Sequence, residues 1–407
     1  MYRRGAGGLF VDVDEDARMI GRRVRLIRKS RRKSLEVIAG LAGMSKSELS
    51  RIELGQRALD RRSKIVALAN ALQVAPSELT NVDVPAPGNG DNDAAAEAVH
   101  RSLMAVSRNR PGGQVLGVDE LRSRVRAVLD AERQCRWIEI RAALPMLIRD
   151  LHTSIAAGRD VAELHDLAVT LHVTGAGRWL RVMGAGVELR SLNTLVARQA
   201  AERRDDPTML GLAVWCDGLV MISAGDFELA QAELDTVTVP TNTPESMQLA
   251  GQLALCQSYV AAVDQRPADV DAALDYASEL AERTGEGNAY GLGFGPTNVG
   301  LWRLQEAAEV GDYARAAAIA ERLDPRVHPS RSRQSHYWMD YGRALARLRG
   351  RQDDAVVALR RSELLNALEM QRDPFVREVL GELLVRSRQD AVGRELRGMA
   401  YRAGLPV

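Results

Sequence analysis

The chain has 407 residues, 46% of them hydrophobic and 27% charged, with a net charge of +1. That is enough apolar content for a real core and enough length for two or three domains. Three widely spaced cysteines, Cys135, Cys216 and Cys256, form no CxxC pair, which excludes a disulfide scaffold and fits a reduced cytoplasm. No apolar run approaches about 18 residues, so no membrane span is expected.

Residues 1–16, "MYRRGAGGLFVDVDED", read as a loose arm without a continuous apolar core of signal-peptide length. A compact helical unit follows over 17–80. Its first helix carries Ile20, Val24 and Ile27 on one face. "SLEVIAGLAG" comes next, with Ser34 as N-cap and Leu35, Ile38, Ala39 and Ala42 on one stripe. In "GMSKSELSRIELGQ" a glycine turn at Gly43 leads into a short helix. Only Leu49 and Ile52 point inward there, and Lys46, Ser47, Ser50 and Arg51 face out. A fourth helix shows Ile65, Leu68, Ala69 and Leu72, and "VAPSEL" closes the unit. All four lysines of the chain, Lys29, Lys33, Lys46 and Lys64, lie in this block. From Arg18 to Lys64 there are 15 basic and 4 acidic residues, whereas from Pro85 onward there are 38 and 44. The asymmetry calls for an anionic partner of the N-terminal unit. The arginine excess elsewhere reads as codon bias.

"NVDVPAPGNGDND", residues 81–93, is rich in proline, glycine and aspartate and reads as an interdomain linker unable to sustain a helix. Residues 94–407 are amphipathic helices with short breaks and an internal echo. Gly225, Gly311 and Gly350 each precede, by five residues, an alanine (Ala230, Ala316, Ala355), and a weaker copy starts at Arg266 with its alanine one place late, at Ala272. The glycine permits a tight turn and the alanine a close helix contact. A period near 40 implies stacked helix pairs, so the expected fold is all-α: a helix-turn-helix domain followed by an α-solenoid.

A helix that keeps all but two side chains polar suits the DNA major groove, where its first turn reads base edges. "IGRRVRLIRKSRRKSLEVIAGLAGMSKSELSRIELG" resembles the XRE-type helix-turn-helix of phage repressors and Cro proteins, a lambda-repressor-like domain, without gaps from Ile20 to Gly55. The whole chain resembles a class of actinobacterial regulators with this domain and a tetratricopeptide-like C-terminal domain, through "GFGPTNV", "DPFVREVLGELL" and "ELRGMAYRAGLPV". The resemblance implies groove-facing Lys46, Ser47 and Arg51, with Ser50 beside them, and an ion pair between Arg28 and Glu53. Arg22, Arg25, Arg57, Arg61, Arg62 and Lys64 are candidate phosphate contacts. Two departures from the family are Leu35, where a glutamine is common, and "QRALDRRS", which lacks the common proline.

In the C-terminal part, "GEGNAYGLGFGPTNVGLWRL" is no P-loop, because no GK[ST] follows. It reads either as a turn capped by Thr297 and Asn298, or as a ligand site in which Asn288, Tyr290, Asn298 and Arg303 line the concave face. Trp215 and Tyr259 serve either as core or as apolar walls. His165 and His172 lie two turns apart with no third ligand, so no metal site is expected. The paired acids Asp205 and Asp206, and Asp353 and Asp354, read as turns. No GxSxG, HExxH or Cys–His pattern is present, so neither an enzyme nor a cofactor is expected. The expected function is a cytoplasmic transcriptional regulator, a homodimer on an inverted repeat of double-stranded DNA. Its solenoid would sense a small ligand, a peptide or a partner. The alternative is a DNA-anchored interaction scaffold without a small ligand.

Overall fold

A computed structural model describes residues 20–74, 76–80, 90–264, 266–386 and 390–405, without the side chains of 77, 90–93 and 267. The expected N-terminal arm and residues 81–89 of the expected linker lie outside the described residues. Among the described residues every regular element is helical, apart from one isolated bridge between Gly287 and Phe294.

Five helices build the N-terminal unit: α1 (Ile20–Ser30), α2 (Leu35–Leu41), α3 (Lys46–Glu53), α4 (Arg62–Leu72) and α5 (Pro76–Thr80). Helices α2 and α3 are each started by a side chain that satisfies an orphan amide. Ser34 Oγ accepts from Val37 N at 3.2 Å, and Ser45 Oγ accepts from Glu48 N at 3.1 Å. Gly43, at φ +63, makes the turn between α2 and α3 at no steric cost. Ile20, Val24, Ile38, Leu49, Ile52, Leu68 and Leu79 fill the core, and Phe375, from far downstream in the chain, completes it.

Helix α6 (Gly90–Ser107) already covers residues 90–93 of the expected linker. Then come α7 (Val118–Arg133), α8 (Trp137–Ala156) and α9 (Val161–Thr170). A seven-residue π turn, Leu171–Gly177, leads into α10 (Arg178–Val182), followed by α11 (Val187–Glu202). Beyond these the hairpins are regular: α12 (Pro207–Ala224) with α13 (Phe227–Leu234), α14 (Pro244–Val263) with α15 (Pro267–Thr284), α16 (Pro296–Val310) with α17 (Tyr313–Ala320), α18 (Arg331–Arg347) with α19 (Gln352–Arg372), and α20 (Pro374–Val385) with α21 (Ala391–Arg402). The first helix of each hairpin also packs on the first helix of the next, so α12, α14, α16, α18 and α20 form one continuous layer. This is the stacking of an α-solenoid.

Gly225 and Gly311 close α12 and α16 in the left-handed conformation, and Ala230, Ala316 and Ala355 are fully buried, as the repeat spacing requires. Ala272 of the weaker copy is exposed; α15 instead buries Leu274, Ala277, Leu280 and Ala281. One expectation is corrected. Helix α12 spans 18 residues at a mean hydropathy of 1.4, long and apolar enough to cross a membrane by length and composition. Its apolarity has another cause, because it packs against α11, α13 and α14 and buries Leu212, Val214, Trp215 and Ile222 in the core.

Candidate DNA-binding face and central cavity

Helix α3 turns Leu49 and Ile52 into the core and leaves Lys46, Ser47 and Arg51 exposed, with Ser50 half-exposed beside them. Its orientation is held by Arg28 and Glu53, which form a buried bidentate pair: Nε to Oε1 at 2.6 Å and Nη2 to Oε2 at 2.7 Å. Arg28 Nη1 also donates to the Lys33 carbonyl at 2.9 Å, so the pair ties α1, the α1–α2 turn and α3 together. The outward cations are lightly engaged. Lys46 Nζ lies 3.4 Å from Glu36, both exposed, and Arg51 Nε reaches the Ser47 carbonyl at 3.4 Å.

The flanking basic residues separate into groups that the sequence does not distinguish. Arg25 is exposed on α1 and Arg22 half-buried. Arg57 and Lys64 converge on Glu48 of α3, Arg57 at 3.5 Å and Lys64 in a short ion pair. Burial works against the Glu48 charge, but these cations outweigh it and hold the carboxyl below its usual range. Arg61 and Arg62 turn away from the α3 face altogether. Arg61 Nη1 donates to the Val310 carbonyl at 3.0 Å and Arg62 Nη1 to the Tyr259 hydroxyl at 2.7 Å. In this arrangement both guanidiniums are engaged by the C-terminal domain, Arg62 against the buried Tyr259 and Arg61, half-exposed, through one exposed hydrogen bond.

These bonds belong to an extensive docking seam. Helix α4 has no side-chain cap of its own, and Glu309 of α16 accepts from Ser63 N at 3.2 Å, capping α4 from the other domain. Buried Asp60 pairs with Arg347 at 3.0 Å and accepts from Tyr313 Oη at 3.3 Å, while Glu382 accepts from Ala58 N at 2.8 Å. Two repeat-turn glycines lie under the docked unit. A Cβ on Gly225 would stand 2.8 Å from Val66, and one on Gly311 would stand 2.5 Å from Arg61.

The first-helix layer of the solenoid curves around a cavity of about 170 Å³. Trp215 of α12, Tyr259 of α14 and Trp302 of α16 supply aromatic walls, and Thr194, Gln252 and Asn298 supply polar groups. Six arginines line it against two aspartates, Asp340 and Asp373. Four of the six have partners: Arg178 faces Glu132 at 3.6 Å, Arg181 pairs with Glu369, Arg343 with Asp340 at 2.7 Å, and Arg62 bonds Tyr259. Arg190 and Arg333 differ. Arg190 Nη1 reaches only the Ser223 hydroxyl at 2.7 Å. Arg333 bonds the amide oxygens of Asn298 and Gln305 at 3.2 and 3.5 Å and stacks on Trp302, its guanidinium 5.2 Å from the ring. Among the described residues neither has a carboxylate in ion-pair range. Burial pulls both guanidiniums down to about 10. Arg190 Nε, Arg333 Nη2 and Trp215 Nε1 are buried donors without an acceptor. A second cavity, of about 380 Å³, lies between α4–α5 and the solenoid and shares Arg62, Arg181, Arg190 and Phe375 with the first.

Of the four residues considered for ligand contact, the structure brings only Asn298 to the central cavity, together with Trp215 and Tyr259. Asn288 is exposed. The Tyr290 carbonyl accepts from Thr174 Oγ1, and Arg303 donates to Ser278 Oγ against α15. The glycine-rich segment is a structured turn in which Gly287 and Phe294 exchange backbone hydrogen bonds. His172 bonds His152 and Asn193, each at 2.9 Å, and burial lowers it to about 4, so it is held as a neutral core group. The arginines of the cavity escape sequence reasoning because arginine is abundant throughout the chain; the spacing of the first helices was the one signal that could have located them.

Residues 20–81 match a protein-family profile described as a helix-turn-helix domain. No curated protein and no solved structure matches the chain.

Proposed function

We propose that the protein is a sequence-specific DNA-binding transcriptional regulator whose solenoid is a ligand-sensing domain. The observation that carries the reading is the division of labour within the helix-turn-helix unit. Its recognition face, with Lys46, Ser47 and Arg51, stays open, while α4 docks into the wall of a cavity in the other domain. A ligand in that cavity touches a surface that includes Arg62, so occupancy and the position of the DNA-binding unit are thermodynamically linked. The cavity favours this over a scaffold without a small ligand. The unit is of the XRE type and the solenoid tetratricopeptide-like, as the resemblance implies, and the protein acts in the cytoplasm.

One recognition helix reads few base pairs. The regulator therefore acts as a two-fold homodimer on an inverted repeat, with half-sites about 34–36 Å apart or a multiple of that. The docked face of α4 is already occupied, so the dimer contact lies in the solenoid. Selection of bound duplexes from fragmented genomic DNA with the full-length protein tests this. An inverted-repeat motif is the expected result. Recovery of fragments without a common sequence would remove the regulator reading, and light scattering that finds a monomer on the selected duplex would remove the dimer.

A further inference from the structure

Resting on the reading of the central cavity as the sensing site, we propose that its ligand is a small organic anion of about one ring, its oxyanion end held by Arg190 and Arg333 and its flat body set against Trp215 and Trp302. The size sets the first limit. About 170 Å³ compares with the roughly 150 Å³ engineered cavity that takes a benzene, which suits a single ring. The charge sets the second. Three of the six lining arginines are paired with Glu132, Glu369 and Asp340, and the surplus of arginine that remains disfavours a cation. A neutral occupant would leave Arg190 and Arg333 as they stand, half-buried cations with no carboxylate in ion-pair range and with Asp340 and Glu369 acting on Arg333 only from farther off, an arrangement that an anion completes.

Placement sets the third limit. Arg333 is oriented by stacking on Trp302 and by Asn298 Oδ1, and Arg190 by Ser223 Oγ. Both guanidiniums are thereby pre-organised, and each keeps donor capacity that the protein leaves unused. Trp215 Nε1 is a third unused donor beside them. Aromatic walls would be wasted on a bare inorganic ion, whereas an acid with a flat apolar body uses both halves of the site.

The test uses the full-length chain with benzoate as probe, benzamide as its neutral isostere and inorganic phosphate as an anion without a ring. Benzoate is expected to quench tryptophan fluorescence saturably and to raise the melting temperature, with benzamide and phosphate each weaker by about ten-fold or more. Arg190→Met and Arg333→Met should each weaken benzoate by about ten-fold or more and leave benzamide unchanged. The unliganded variants should melt at or above the wild-type temperature, because each removes an uncompensated charge; that outcome separates a lost site from a lost fold. The proposal is overturned if benzoate shows no saturation by about 10 mM, if benzamide or phosphate matches it, or if the arginine variants bind benzoate as the wild type does. Benzoate that binds as described yet leaves affinity for the selected duplex unchanged would instead overturn the sensing reading and leave the anion site standing.

Discussion

Arg62 of α4 donates Nη1 to the Tyr259 hydroxyl across 2.7 Å, so a side chain of the DNA-binding unit forms part of the wall of the central cavity. The guanidinium also lies 4.9 Å from the Phe375 ring, which belongs to the core of the helix-turn-helix unit. Tyr259→Phe removes this acceptor and also the hydroxyl that donates to Glu309 Oε2 at 3.3 Å, so both bonds lie on the α4 docking contact. It is expected to cost about 1–3 kcal/mol, the penalty for a buried donor left unpaired. Denaturation of the full chain measures the cost, and faster hydrogen exchange in α4 should accompany it. A change below about 0.5 kcal/mol would mean that the bond contributes nothing to docking.

The repeat-turn glycines separate backbone strain from docking. Gly350, at φ +79, has open space at its Cβ position, so Gly350→Ala carries only the left-handed backbone cost of about 1–2 kcal/mol. Gly225, at φ +80, faces Val66 and Pro76 of the docked unit. Gly225→Ala should carry the same strain and also push that unit away. Hydrogen exchange in α4 and α5 should therefore rise in Gly225→Ala and not in Gly350→Ala. Equal protection in both variants would count against close docking at this turn.

Arg28 and Glu53 are a buried bidentate pair, 9% and 4% exposed. Removing one partner strands the other charge, so Arg28→Ala or Glu53→Ala should destabilise the helix-turn-helix unit by roughly 3–5 kcal/mol, whereas an apolar double replacement should recover much of the loss. Because Phe375 completes the core of this unit, the measurement belongs in the full chain. A loss below about 1 kcal/mol for the single variants would show that the pair is solvated.

Within the DNA face, Arg51→Ala should cost roughly 1–3 kcal/mol on the selected duplex and relax one base position, with little effect on scrambled DNA. Glu48 predicts the opposite kind of change. It engages both Arg57 and Lys64. Glu48→Gln should release two cations, strengthen binding to all sequences alike, and steepen the salt dependence by about one to two units. Titrations over several salt concentrations decide both. A Glu48→Gln variant with unchanged salt slope would exclude Arg57 and Lys64 from the phosphate contacts.

Two buried carboxyls set a pH dependence. Burial raises Glu306 to about 8, opposed by its bond from the Ser258 hydroxyl, and raises Glu378 to about 7 at the docking seam. A carboxyl raised on folding adds no penalty below its unfolded value, and stability is lost as pH climbs toward its folded value. The histidines His152, His165, His172 and His328, lowered by burial, oppose this only in the lower part of the range, because an unfolded histidine is about half protonated at pH 6.5 and nearly neutral by about pH 7.5. Between about pH 6.5 and 8 stability should therefore fall, by about 1–3 kcal/mol, and Glu306→Gln should flatten the slope. Chemical denaturation across that range checks it; a rising curve would reverse the assigned direction.

Much of the N-terminal unit is readable from neighbours along the chain. Ser34 and Ser45 cap, Gly43 turns, and Leu49 with Ile52 point inward, because helix start, turn and face are set by residues within four positions of one another. The repeat turns at Gly225, Gly311 and Gly350 are legible for the same reason. Local rules stop where separate surfaces meet. The 15 basic residues between Arg18 and Lys64 look equivalent in the sequence. Yet Arg51 is left exposed, Lys64 is tied to Glu48, and Arg61 and Arg62 are drawn into the solenoid. Likewise the apolar run of α12 is a core helix only because α11, α13 and α14 cover it, and Arg190 and Arg333 line one cavity without a carboxylate in ion-pair range only when α11 and α18 close on it. Helix formation draws on short-range hydrogen bonds and side-chain spacing, so it can be read from a few consecutive residues. The partner of a charge is chosen by the docking of distant elements, so it emerges only in the folded chain.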